Sequence, residues 1–235
     1  TVTTAAGGAA ATKVIVLVER STKAYNPDAL LDSGVTPALT AAGYIVVSAT
    51  LCGFGEHDAF PTSYKGMAAV PDIARNLNRS VVGYHAAELV RVSAWVKQRF
   101  GVPPLATVAG SELHSAALHA AVIEGWNTTG ALALIGCTVS YEAIATSLLY
   151  LQNSEWMWIF NVLAHYDLPD LSAAAGGPQL VVAPVDATGA PLNETMAERT
   201  FEFARKHVAL TLAGVGNSTS VSAVTSALLP FLASL

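Results

Sequence analysis

Leu105-Ala106-Thr107-Val108-Ala109-Gly110-Ser111-Glu112-Leu113-His114-Ser115-Ala116-Ala117-Leu118-His119 is the stretch on which the fold turns. Small and apolar residues over 105–109 predict a strand, Gly110 a sharp turn, and the alanine-rich run over 115–123 a helix. A strand, a tight turn and a helix in succession make half of a βαβ unit, so the same rhythm is expected on either side. Upstream, apolar runs at 14–18 and 44–48 read as strands. Helical pieces at 28–31 and 37–42 lie between them, and Gly43 acts as a stop. A loop bearing Pro61 and Pro71 leads to a long helix predicted over 78–100, with Val82, Leu89, Val92 and Val96 near helical spacing and Gly101 at its end. Downstream, strands are predicted at 131–135, 179–183 and 209–213, and helices at 194–207 and 221–235. The segment 137–171, with Trp156 and Trp158, reads as an irregular cap over a site. Strands that are apolar throughout, rather than alternating, belong to sheets buried on both faces. The expectation is an α/β fold: a doubly wound, mostly parallel sheet of about six strands with helices on both faces, in one domain spanning 1–235.

Composition narrows the function. Of 235 residues, 52% are hydrophobic and only 12% charged, with a net charge of −5. Soluble proteins average about 25% charged residues, so the surface is either poor in charge or partly covered by a partner. No apolar run approaches the roughly 18 residues of a membrane helix, and no basic cluster offers a footprint for nucleic acid. Cys52 and Cys137 are too few to staple a small secreted scaffold. The sequence opens on Thr1 with no signal-like stretch, which reads as a processed chain or an excised domain. Asn78, Asn127, Asn193 and Asn217 each open an N-x-S/T triplet, which raises an extracellular or secreted glycoprotein as an expectation.

Ligands of open α/β sheets gather at the carboxyl ends of the strands. Here those ends bring up Glu19 and Arg20, the loop 53–58, the turn 110–115, the segment 136–140, Asp186 and the loop 214–218. The stretches Leu51-Cys52-Gly53-Phe54-Gly55-Glu56, Asn78-Arg79-Ser80-Val81-Val82-Gly83, Leu118-His119-Ala120-Ala121, His165-Tyr166-Asp167-Leu168-Pro169-Asp170-Leu171 and Pro184-Val185-Asp186-Ala187-Thr188-Gly189 fall within about 13–210. In order and spacing the set resembles the α/β-hydrolase superfamily, of the acetyl xylan esterase and dienelactone hydrolase type. More particularly, it resembles the degenerate second hydrolase domain of tandem esterase-like proteins. The resemblance implies a fold lacking its first strands, a nucleophile on the turn after 105–109, a carboxylate after a later strand and a histidine after the last.

The departures from that pattern carry the functional expectation. A G-x-S-x-G elbow needs small residues around its nucleophile, whereas this chain has Gly110-Ser111-Glu112-Leu113-His114. Glu112 holds the nucleophile position, Ser111 is one residue early, and His114 replaces the second glycine. Asp186 fits the carboxylate. Gly214-Val215-Gly216-Asn217-Ser218 puts Asn217 where the histidine belongs. A serine without a base is a poor nucleophile, so inherited ester hydrolysis is expected to be lost. The leading expectation is therefore a structural or interaction module whose partner is another domain or subunit of a larger esterase-like protein. The competing one is a carboxylic ester hydrolase acting on acylated carbohydrate or small esters, with Ser111 or Glu112 as nucleophile, His114 as base and Asp186 as orienter. A third is a binding protein that holds a ligand beneath 137–171.

Glu112 and His114 are too few for a metal centre, so no metal is expected. Nor is a nucleotide cofactor: Gly53-Phe54-Gly55 lacks a third glycine and does not follow the first strand. His119 reads as a packed helix residue, His85 as a packed or surface one and His165 as part of a docked turn, while His57 lies in a loop that could reach the cleft mouth. Trp156, Met157, Trp158 and Phe160 suggest either a pocket wall or the anchors of an interface.

Overall fold

The computed structural model describes residues 2–3, 13–19, 34–54, 66–110, 113–150, 154–216 and 219–235. Its elements run β1 (Val2–Thr3), β2 (Val14–Val18), α1 (Thr36–Ala41), β3 (Ile45–Ser48), α2 (Gly66–Asn76), α3 (Val81–Phe100), β4 (Ala106–Gly110), α4 (His114–Glu124), α5 (Trp126–Thr129), β5 (Ala131–Ile135), α6 (Tyr141–Thr146), α7 (Leu168–Ala175), β6 (Gln179–Val182), α8 (Glu194–His207), β7 (Leu210–Ala213) and α9 (Val221–Ala233). The strands form one sheet in the order β1-β3-β2-β4-β5-β6-β7. All pairs are parallel except β1 with β3. The chain winds outward from β2 to β3, then crosses back to β4 and outward the other way. The winding reverses between β2 and β4, and a crevice opens at the carboxyl ends of strands on such a line.

Burial on both faces explains the continuous apolar runs. Val14, Val16 and Val18 of β2 enter the core shared with α3, α4, α7 and α8, while Ile15 and Leu17 enter the core shared with α1 and α9.

The structure departs from the sequence expectations at four places. The sheet has seven strands rather than about six, because Val2 and Thr3 pair with Val47 and Val46, and a two-residue strand has no periodicity to read. Pro71 lies inside helix α2, not in a loop; its ring is buried, which compensates for the main-chain bond a proline cannot make. The long helix begins at Val81 rather than 78. Asn78 takes a left-handed φ of 53° and separates α2 from α3, and the Ser80 hydroxyl then accepts the Gly83 N–H at 3.0 Å as N-cap. The cap segment holds α6, two 3₁₀ turns (Ser154–Met157 and Val162–Ala164) and the start of α7, all too short for an apolar period to register. The helical piece expected at 28–31 lies outside the described residues. No described helix is long and apolar enough to cross a membrane.

Candidate active site

Gly110 ends β4 and His114 opens α4. Ser111 and Glu112 lie outside the described residues. His114 is 1% exposed, and α4 also buries Ser115, Ala116, Ala117 and Leu118, so the start of the helix lies in the core. Tyr141 of the cap is buried as well, and desolvation pushes its phenol up.

Asp186 follows β6 through Ala183, a non-glycine residue at φ 48°. Its carboxylate folds back on its own loop. Oδ1 accepts the Thr188 N–H at 2.8 Å, the Thr188 hydroxyl at 2.7 Å and the Ala190 N–H at 3.0 Å. Partial burial raises its pKa, but these bonds and one from the Gly189 N–H outweigh that and leave it below the ordinary carboxylate value. The loop after β7 is pinned as well, because the Gly216 N–H donates to the Leu192 carbonyl at 2.8 Å. Asn217, the next residue, is outside the described residues.

Two further histidines, His85 and His119, are engaged in packing. His85 is 1% exposed; its Nε2 lies 2.8 Å from the Cys52 carbonyl, and its ring stacks at 5° to Trp156. His119 sits with Nδ1 2.6 Å from the Ser115 carbonyl and Nε2 2.9 Å from the Tyr166 hydroxyl. Desolvation lowers the pKa of both rings, only partly countered by those carbonyls. Both are packed helix residues, as expected for His119 and as one of the two readings open for His85. His165 is exposed, and His57 lies outside the described residues. Among the described residues, no three His, Cys, Asp or Glu side chains gather in a metal-binding group.

The loop 51–54 is held from α3. Glu88 accepts the Cys52 N–H at 2.9 Å while His85 binds the same residue's carbonyl, two ligands one helical turn apart. Gly53, at φ +83°, lies where a Cβ would come within 2.8 Å of the Trp156 indole. Trp156 is 2% exposed and packs on Phe54 with ring centroids 4.6 Å apart. It is a core anchor joining cap to loop, and so cannot be an interface anchor. Cys137, fully buried after β5, has its thiol pushed up to about 12 by desolvation, which leaves it inert.

Sequence reasoning missed Asp167. Its carboxylate accepts the Ser140 hydroxyl at 2.6 Å and the Tyr141 and Leu168 N–H groups at 2.5 and 2.6 Å, tying α6 to the start of α7. The signal was present in Asp167-Leu168-Pro169-Asp170, which the structure uses as a capping box.

No protein-family model and no curated protein matches the sequence. Solved structures do. The chain is similar to Est1E from Butyrivibrio proteoclasticus, solved with ferulic acid, at TM-score 0.65 and 13% identity over 100% of this chain and 93% of that one. It is also similar to TT1662 from Thermus thermophilus, at TM-score 0.56 and 19% identity over 94% and 89%. The esterase domain of a Rhodothermus marinus protein matches at TM-score 0.54 and 15% identity over 97% and 88%. With its mostly parallel sheet, helices on both faces and these neighbours, this chain has the α/β-hydrolase fold.

Proposed function

We propose that this chain is a catalytically degenerate α/β-hydrolase domain that acts as a structural or interaction module beside another domain or subunit of a larger esterase-like protein. One observation carries the reading: the last histidine of the sequence is His207, which ends α8 before β7 begins, so no imidazole follows the final strand. The commitment of Asp186 to its own loop supports it, as does the engagement of His85 and His119 in packing. The exposed apolar residues Leu148, Leu149 and Phe160 on the cap supply a face for a partner. An extracellular setting fits the same reading, since Asn78, Asn127 and Asn193 are all exposed.

The competing carboxylic ester hydrolase would use Ser111 or Glu112 with His114, and the esterase neighbours keep it worth testing. With p-nitrophenyl acetate and acetylated xylan, the expected rate equals that of buffer. Turnover that disappears in both Ser111→Ala and Glu112→Gln would overturn the non-catalytic reading.

A further inference from the structure

Two cavities meet at the cap, and neither has Leu113, His114 or Asp186 in its wall. The first, about 620 Å³, lies between the α2–α3 junction and the cap; Arg75, Arg79, Ser80, Val81 and Phe160 contribute to it. The second, about 400 Å³, is formed by Tyr141, Ile144, Tyr150, Val162 and Leu163 among others and has no charged side chain in its wall. Trp158 and Ile159 line both. Each volume is in the range of small-molecule sites.

The charges in the first cavity are of one sign. Its two ionic side chains are arginines, in a chain whose net charge is −5. Arg75 is bonded to Asp72 and lies over the Trp158 ring, 5.6 Å from its centroid, so it holds the wall in place. Arg79 is exposed and has no acidic partner among the described residues. The start of the 20-residue helix α3 adds the positive end of its dipole to the same wall. A guanidinium with no counter-charge among the described residues, next to aromatic walls and a neutral apolar chamber, calls for a ligand with an anionic head and an apolar tail.

We infer that these cavities together bind an amphipathic carboxylic acid, with its carboxylate on Arg79 and its tail passing Trp158 into the Tyr141–Leu163 chamber. A guanidinium grips a carboxylate through two parallel N–H bonds, which a cationic or hydroxyl head group cannot reproduce. The inference adds a ligand to the module described above and holds whether or not the elbow turns over esters.

Isothermal titration calorimetry of the whole chain tests it, with decanoate below its micelle concentration as probe. The expected result is saturable binding of one decanoate per chain and none of acetate or decyltrimethylammonium. Arg79→Gln keeps the Ser80 cap and should weaken decanoate about tenfold. Ala145→Trp, which fills the second chamber, should weaken decanoate and leave benzoate unaffected. Absence of decanoate binding up to millimolar concentration overturns the inference. So does equal binding of decanoate and decyltrimethylammonium, or an unchanged affinity in an Arg79→Gln protein whose circular dichroism matches the parent.

Discussion

At Asp186, position and use part company. The residue follows β6, the place to which the resemblance assigns a carboxylate, yet Oδ1 serves Thr188 and Ala190 within five residues of chain. That arrangement makes a short Asx-type turn, which any Asp-x-Thr sequence can form without a catalytic partner. A carboxylate whose folded pKa is depressed favours the fold only while ionised. Its contribution is therefore present above the ordinary value of 3.8 and is lost as pH falls through the lower folded value. In an NMR titration the Thr188 and Ala190 amide resonances should move together below 3.8 and stay flat at neutral pH. The position of Asp186 was legible from its place after an apolar run. Its hydrogen bonds were not, since they depend on the loop closing back to Ala190.

Among the elements, the parallel strands were the most legible part of the chain, because burial on both faces leaves an unbroken apolar run such as Val14–Val18. Helix α2 was hidden by Pro71, whose usual meaning as a breaker does not hold here, where its ring is buried inside the helix. The connection from α5 to β5 shows the reverse case, a glycine with no substitute. Gly130 takes φ +79°, and a Cβ there would sit 2.7 Å from the Pro104 carbonyl oxygen and 2.8 Å from the Ala106 nitrogen. Those atoms are backbone at the start of β4 and cannot move without shifting the strand. Gly130→Ala should cost about 2–4 kcal/mol, read as a lower urea midpoint at unchanged slope. Gly43, equally left-handed at φ +90° but with no atom within 4 Å, should tolerate alanine better.

For the whole molecule, acid is the predictable weakness. His85 is buried and His119 half-buried, both with pKa values below 6.5, so as pH falls below that value the unfolded chain takes up protons the native rings refuse. Stability should be full above 6.5 and decline as pH drops through the window beneath it, before Asp186 adds its own loss. Chemical denaturation across this range checks the trend, and His119→Phe should flatten it. The proposed function rests on an absence that needs no coordinates, the lack of any histidine after His207. The cavity at Trp158 was not legible, because Arg75, Arg79 and Phe160 come together only when the cap folds over the α2–α3 junction. The stacking of Trp156 on His85 has an optical consequence. An imidazolium quenches an excited indole, so emission from Trp156 should stay bright and blue while the cap is seated over a neutral ring, and should dim or shift red when acid charges that ring or the cap lifts away.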